Sequence, residues 1–184
     1  MRSMAHARGF SLIEVLVALI IIGVGMLGIA KIQALAYAGT GTASLRALAA
    51  IEAGSLASSM RANRGYWTVA PTPLTINVTT TMTASDGSLT TGATCLSPTP
   101  ACTPAQVAGY DLTNWVTALN ALLPSVTGTV NCPTPIPVGG FTPPIGCTIQ
   151  LTWFERNIGV NAQSQVNAQG TAIPPQFYTV YVEP

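Results

Sequence analysis

An apolar run near the N-terminus dominates the pattern of hydrophobic and polar positions. Between Phe10 and Ala30 the only charged residue is Glu14, and Lys31 closes the run. These twenty-one residues, at a helical rise of about 1.5 Å each, span roughly 30 Å, the thickness of the hydrocarbon core of a bilayer. The pattern therefore predicts a membrane-spanning helix over residues 10–30.

Helical periodicity continues beyond this run. Gly39–Thr42 is a weak point at which we expect a bend, and Asn63 and Gly65 are stop signals. Between them, residues 44–63 carry an apolar stripe at helical spacing: Leu45, Leu48, Ile51, Leu56 and Met60, with Ala49 and Ala53 filling it. We expect one long helix over residues 10–64, the 44–63 part of which is amphipathic and buries its stripe against the globular region.

The remaining chain, residues 65–184, alternates between strand and turn patterns. Strand signals occupy Leu74–Met82, Val126–Val130, Cys147–Glu155 and Phe177–Val182, and Asp86-Gly87 reads as a turn. The Asn/Gln/Gly-rich segment from Arg156 to Gln176 is predicted to be a long exposed loop.

A second helix is predicted to start at Thr103, with Pro104 at the first helical position and Gln106 completing a capping box. Its apolar face follows at helical steps, and Pro124 ends it: Ala108, Leu112, Trp115, Leu119 and Leu122. The fold class is therefore α+β, a long N-terminal helix packed against a small antiparallel β-sheet with one further helix.

Composition excludes several classes of function. Charged residues make up 7% of the 184 residues, the net charge is +1, and the single histidine is His6. The sequence lacks the basic patch that would indicate nucleic-acid binding. The scattered carboxylates form no acid/base pair, and the chain lacks a phosphate-binding loop, a nucleophile elbow or zinc-ligand spacing. We expect no enzymatic activity, no cofactor, no metal and no small-molecule substrate.

Four cysteines favour an oxidising compartment: Cys95, Cys102, Cys132 and Cys147. Three pairings are possible. Cys95 with Cys102 and Cys132 with Cys147 is the simplest, because each pair brackets a Pro-rich loop. A zinc site is the alternative, and the absence of CxxC spacing speaks against it.

Glu14 distinguishes this helix from an ordinary anchor or signal peptide. A carboxylate at the centre of a membrane helix costs about 2.5–3.5 kcal/mol on insertion scales and usually has a partner or a function. A signal peptide would carry its cleavage site after the apolar core. Here the small residue Gly9 precedes the apolar core and follows a short segment that contains Arg2 and Arg8. Snorkelling of Glu14 toward the headgroups is the plainer alternative.

The sequence Gly9-Phe10-Ser11-Leu12-Ile13-Glu14 resembles the processing site of type IV prepilins and pseudopilins. The resemblance implies that residues 1–9 are a leader removed by prepilin peptidase, that Phe10 becomes the N-methylated N-terminus, and that Glu14 serves assembly. It also implies that the helix leaves the inner membrane for a filament core. Gly23, Gly25 and Gly28 would let the helix melt there, although close helix packing is another explanation.

Later segments resemble minor pilins that modify type IV pili: Met60–Arg64, Tyr110–Leu112 with Trp115, Leu122–Pro124, Leu151–Arg156 and Val182–Pro184. The resemblance implies a subunit that is single-pass in the inner membrane with a periplasmic C-terminus, then part of a surface pilus. Its partners would be other minor pilins and the major pilin. Two alternatives stay open: a minor pseudopilin of a type II secretion system, and an adhesin whose candidate surface is Tyr66, Trp67 and the 132–147 loop.

Overall fold

The computed structural model describes residues 11–89, 95, 101–155 and 175–184. The helices are α1 (Leu12–Ala62), α2 (Arg64–Trp67) and α3 (Pro104–Leu122), with a short 3-10 helix at Gly87–Leu89. The strands are β1 (Leu74–Val78), β2 (Met82–Ala84), β3 (Thr127–Cys132), β4 (Cys147–Trp153) and β5 (Gln176–Val182). The predicted loop from Arg156 lies outside the described residues, except for Pro175 and for Gln176, which begins β5.

The chain divides into two units, residues 1–41 and 42–184. In the first unit, every described residue from Leu12 onward is helical. This part of α1 contains a stretch long and apolar enough to cross a membrane, and none of that stretch is buried by the protein. The glycines of the predicted weak point do not interrupt the helix, which continues through Gly39–Thr42. The Thr40 hydroxyl donates to the Ala36 carbonyl there at 3.0 Å.

The second half of α1 forms one wall of the hydrophobic core. Its buried face consists of small and flexible side chains at helical spacing, with Leu45 and Leu48 partly buried beside them: Ala49, Ala53, Leu56, Ala57 and Met60. The prediction was wrong for Ile51, which is 63% exposed. Ile51 lies two residues from each of the buried alanines Ala49 and Ala53. Because successive helical residues are about 100° apart, two steps carry Ile51 to the opposite side of the helix, where it faces solvent.

The end of α1 passes directly into α2. The Asn63 side chain, one of the predicted stop signals, donates to the Pro104 carbonyl at 2.8 Å and thereby ties this junction to the start of α3. Tyr66 and Trp67 of α2 are buried, Trp67 to 2% exposure, and their rings pack edge to face. These two aromatics therefore belong to the core, and the proposal that they form a ligand surface was wrong.

The five strands form one antiparallel sheet in the order β2-β1-β3-β4-β5. The strand predicted over Leu74–Met82 is in fact two, because the chain turns at Thr79–Thr81, where the Thr79 N–H donates to the Thr81 carbonyl. One face of the sheet is buried. A row across the other face is uncharged and polar throughout: Thr83, Asn77, Thr129, Gln150 and Thr179.

Helix α3 starts as the sequence predicts. Thr103 and Gln106 form the complete capping box, with the Thr103 N–H donating to Oε1 of Gln106 at 2.8 Å and the Gln106 N–H donating to the Thr103 hydroxyl at 3.3 Å. The predicted apolar face is buried as far as Leu119. At the C-terminal end the prediction was wrong, because Leu122 is exposed and Leu123, which has left the helix in an extended conformation, enters the core instead.

Two disulfide bonds close the globular unit. Cys95 is bonded to Cys102 and Cys132 to Cys147, the simplest of the three pairings. The second bond joins the end of β3 to the start of β4 and closes the loop between them. Both of its cysteines are fully buried in the hydrophobic core.

Two helical glycines should respond in opposite ways to alanine. A Cβ added at Gly54 meets no atom within 4 Å, so Gly54→Ala should stabilise the protein by about 1 kcal/mol. At Gly109 the added Cβ would lie 2.8 Å from the Leu89 carbonyl oxygen, so Gly109→Ala should destabilise it by about 1–3 kcal/mol. Both changes in the free energy of unfolding can be measured by denaturing the full chain in detergent and following the fluorescence of its three buried tryptophans. Equal changes of the same sign would contradict the packing at Gly109.

Candidate functional site

The start of α1 presents a lone carboxylate at the head of an apolar helix. Gly9 and Phe10 lie outside the described residues, which begin at Ser11. The Ser11 carbonyl accepts from the backbone N–H groups of Glu14 and Val15, at 3.0 and 3.3 Å, and so opens the first helical turn. Glu14 lies in that turn and is exposed. Within the described part of the chain it has no ion pair or side-chain hydrogen bond.

The apolar side chains that follow are uncovered. Most large ones are more than half exposed, and they lie on all sides of the helix: Leu12, Ile13, Leu16, Leu19, Ile20, Ile21, Ile22, Val24, Met26, Leu27, Ile29 and Ile32. A soluble monomer rarely exposes a continuous apolar surface of this size. By length and composition this half of α1 fits a segment that is covered by lipid or by other protein chains.

No contact with the described part of the chain explains the three glycines of this segment. A Cβ placed at Gly23, Gly25 or Gly28 meets no atom within 4 Å. Each glycine nevertheless weakens a helix by about 1 kcal/mol relative to alanine. Their proposed roles, close approach of another helix or a change of helix conformation on assembly, stay predictions.

An ion pair joins α1 to the segment that directly follows β4. The Arg46 guanidinium contacts both carboxylate oxygens of Glu155, at 2.8 and 2.9 Å, across 109 residues of sequence. The Glu155 side chain is only 5% exposed, whereas Arg46 is largely solvated. The two hydrogen bonds from Arg46 hold the pKa of Glu155 below its ordinary value.

A second polar contact fixes the turn before the 3-10 helix. The Tyr66 hydroxyl donates to the Asp86 carboxylate at 2.6 Å, and the Ser88 N–H donates to the same carboxylate at 2.9 Å. Burial, with the neighbouring carboxylate, raises the pKa of Tyr66, and the hydrogen bond from Tyr66 lowers the pKa of Asp86. Tyr66 thus anchors the turn that the Asp86-Gly87 pair predicted.

The loop between Cys132 and Cys147 is a preformed projection. Val138 and Phe141 exchange backbone hydrogen bonds of 2.9 and 3.1 Å around Gly139 and Gly140, whose φ angles are 61° and 83°. Positive φ at both central residues is the two-residue turn that favours paired glycines. Three large apolar side chains of the loop are exposed: Ile136, Val138 and Phe141. The loop contains no charged residue.

A groove lies between α1 and α3 that the sequence patterns did not predict. It has a volume of about 320 Å³ and is lined by Glu52, Ser55 and Ser59 of α1 and by Asp111, Asn114 and Trp115 of α3. We call it the α1–α3 groove. Its signal in the sequence is faint, because the two carboxylates are 59 residues apart and only the helix packing brings them to one place.

The carboxylates of this groove lack partners. Glu52 and Asp111 are half-buried and have neither a side-chain hydrogen bond nor an ion pair with any described residue. Burial raises the pKa of both. The indole N–H of Trp115 donates to the Glu52 backbone carbonyl at 3.0 Å, which fixes the spacing of the two helices there.

The described residues contain no cluster of possible metal ligands. No three His, Cys, Asp or Glu side chains of the described residues lie close enough to hold a metal ion. All four cysteines are in disulfides, so none is a nucleophile. What the geometry offers instead is surface: an uncovered apolar helix, an apolar loop and an acidic groove.

Comparison with known families adds the missing context for the first unit. Residues 4–30 match the prokaryotic N-terminal methylation motif. The motif indicates a type IV pilin-like or pseudopilin protein, a structural and not a catalytic class. It implies processing by prepilin peptidase and assembly with other pilins, and with the apolar helix it fits anchoring in the inner membrane before entry into a pilus. No curated protein and no solved structure matches the chain.

The Arg46–Glu155 pair makes the stability of the second unit sensitive to acid. Because the folded pKa of Glu155 is lowered, its stabilising contribution is full above the ordinary value of 4.5 and is lost as the pH falls through the folded pKa. Glu155→Gln should therefore lower the melting temperature at pH 7, and the difference from the unmodified protein should shrink below pH 4.5. Glu183→Gln, which changes an exposed carboxylate elsewhere, is the control. A difference that stays constant from pH 7 to pH 3 would contradict this assignment.

Proposed function

We propose that the chain is a minor pilin, of the kind represented by the type IV pilus modification protein PilV. In this proposal prepilin peptidase cuts after Gly9 and methylates Phe10, and the subunit then takes part in initiating or modifying type IV pili. Pilus-dependent motility and adhesion follow from that role. One observation carries the proposal: the residues that match the methylation motif include the start of an apolar helix with a lone carboxylate, Glu14, and no described part of the chain covers that helix segment.

The chemistry of that helix start supports assembly with other subunits. Cleavage after Gly9 creates a cationic amine at Phe10, and Glu14 supplies an anion one turn away. Neither charge is tolerable alone in an apolar environment, whereas a pair formed between neighbouring subunits offsets the desolvation of both. Glu14 would then fix the register in which a subunit docks.

The proposed layout assigns residues 1–9 to the leader and 10–30 to the membrane span and later the filament core. Residues 44–63 form the amphipathic part of the helix, and residues 65–184 form a periplasmic head. The basic leader is expected on the cytoplasmic side by the positive-inside rule. Two disulfides in the head agree with an oxidising compartment on the other side of the membrane.

The nearest alternative is a minor pseudopilin of a type II secretion system, because leader and helix are common to both classes. Resemblances beyond the leader and the apolar helix favour the pilus, among them Met60–Arg64 where α1 ends and Leu151–Arg156 where β4 ends. Where the mature protein resides separates the two proposals, since a pilus subunit is recovered in sheared surface filaments.

The decisive experiment is mass spectrometry of sheared filaments and of the membrane pellet, searching for the peptide that begins at Phe10. We expect N-methylated Phe10 in the filaments. Glu14→Val should still be inserted, cleaved and methylated, yet be depleted from the filaments because the charge pair is lost. Gly9→Val, which should block cleavage, is the matched control.

Three results would count against the proposal. An intact segment from Met1 to Lys31 beside an active prepilin peptidase would reduce the helix to an anchor. Methylated peptide confined to the membrane pellet would favour the pseudopilin. Normal amounts of Glu14→Val in filaments would exclude the pairing.

A second candidate function, adhesion through the head, is supported by the loop between Cys132 and Cys147. Its disulfide and its two-residue turn organise it before any ligand arrives, which lowers the entropic cost of binding. Its three exposed apolar side chains would then contact the ligand.

Replacing these side chains tests adhesion separately from assembly. Ile136→Ser, Val138→Ser and Phe141→Ser together should reduce attachment of piliated cells to a surface and leave the amount of methylated protein in filaments unchanged. The control is Val69→Ser, because Val69 is also exposed but lies outside the loop. Unchanged attachment of the triple variant, with normal piliation, would exclude the loop as an adhesive surface.

A further inference from the structure

The exposed face of the β-sheet carries no charged side chain on any of the five strands. Its central row takes one residue from each strand: Thr83, Asn77, Thr129, Gln150 and Thr179. Because alternate residues of a strand point to the same face, two further rows share it. One row consists of Thr127, Thr152 and Phe177, and the other of Thr75, Asn131, Thr148 and Tyr181. None of these residues is buried, and we call the surface the outer sheet face.

Two aromatic rings of β5 project from this polar surface. Phe177 is 70% exposed and Tyr181 is 62% exposed. They are four residues apart, so at about 3.3 Å per strand residue the two rings are separated by roughly 13 Å, with Thr179 between them. Aromatic side chains bury a large area when they find a partner, and they are therefore enriched in cores and interfaces. Two of them in line on a polar face indicate a surface that makes contact with another molecule.

The ring of Tyr181 is held in place within the chain. A Cβ added at Gly146 would lie 2.7 Å from Cζ and 2.9 Å from Cε2 of this ring, so the ring lies directly against the glycine backbone. The Tyr181 hydroxyl donates to the carboxylate of Glu183, which follows β5 at the border of the face, at 3.4 Å. A side chain whose position is already fixed loses less conformational entropy when a partner binds.

The side chains of the outer sheet face select the chemistry of that partner. A surface without charges complements a partner without charges, whereas a nucleic acid requires cations along its phosphates. The area between the two rings is occupied by Thr179, and the centre of the face by Thr129 and Gln150. A protein interface would have an apolar centre, and a lipid surface would need a continuous apolar stripe. Hydroxyls and amides that both donate and accept hydrogen bonds match a ligand rich in hydroxyl groups.

We propose that the outer sheet face binds a neutral polysaccharide. The C–H groups on one side of a sugar ring are slightly positive and fit against the negative faces of the Phe177 and Tyr181 rings. The sugar hydroxyls then exchange hydrogen bonds with Thr179 and Gln150. An extended chain of several sugars reaches both rings at once. The site lies entirely in the second unit, so this inference goes beyond the proposed pilus role and does not depend on it.

Co-sedimentation with insoluble polysaccharides tests the inference. The full chain, solubilised in a detergent without a sugar headgroup, is mixed with powders of cellulose, chitin and cross-linked dextran. We expect retention on at least one of these neutral polymers, unchanged at high salt, because contacts between uncharged groups are not screened. Carboxymethylcellulose, an anionic form of the same backbone as cellulose, should retain the chain no better than cellulose does.

Variants assign the retention to the outer sheet face. Phe177→Ala with Tyr181→Ala should lower it roughly tenfold or more, because both stacking rings are lost. Tyr181→Phe should preserve it, since the ring remains. Phe141→Ala is the matched control, because Phe141 is 68% exposed but lies on the loop between Cys132 and Cys147. If the double variant melts at a lower temperature, Phe177→Ala and Gln150→Ala, each alone, take its place and should lower retention while the melting temperature stays unchanged.

Four results would overturn the inference: no retention on any of the neutral polymers, retention that disappears at high salt, full retention of the ring variants, or an equal loss in Phe141→Ala. Benzoylphenylalanine at Thr179 in cells covers the other occupant. A protein adduct that forms there and is lost in Phe177→Ala would make the face a protein interface and would also overturn the inference. The methylated Phe10 peptide in filaments reports on the proposed function independently, so the two can fail separately.

Discussion

A large apolar surface that the described part of the chain leaves uncovered is the constraint on which this structure depends. The first half of α1 is apolar all round, and no described residue elsewhere in the chain buries its membrane-length stretch. Such a segment is stable only in lipid or among other apolar helices, so the chain is dependent on its surroundings from the start. The single carboxylate, Glu14, makes that dependence specific, because a charge in such surroundings needs a partner at a defined position.

The second half of the same helix, in contrast, has one face that is buried by the chain itself. Its buried face consists of three alanines and two larger side chains: Ala49, Ala53, Ala57, Leu56 and Met60. This half of the helix therefore packs into the hydrophobic core of the second unit. Polar ties at its edge then fix its position, from Arg46 to the segment that directly follows β4 and from Asn63 to the start of α3. A single helix therefore satisfies two environments, with the change occurring between its apolar half and its alanine-rich half.

Much of this architecture follows from local patterns in the sequence, and the exceptions share a cause. The capping box at Thr103 was predictable because its partners are three residues apart, and so was the α+β class. Ile51 and Leu122 were misplaced because hydrophobicity at approximate helical spacing does not decide which of two adjacent residues faces the core; contacts with distant elements decide it. Tyr66 is buried for the same reason, since its partner Asp86 lies 20 residues further on. The α1–α3 groove was beyond prediction, because it exists only where two helices meet.

The disulfide at the base of the projecting loop separates the loop's sequence from the fold of the head. Cys132 and Cys147 hold the end of β3 beside the start of β4, so the fourteen residues between them contribute nothing to the strand register on either side. Lengthening a loop whose ends are already fixed is cheap, about 0.6 kcal/mol for each doubling of its length. The Gly139-Gly140 turn is accordingly a natural point for inserting an epitope tag or a foreign peptide to be displayed at the surface of the head.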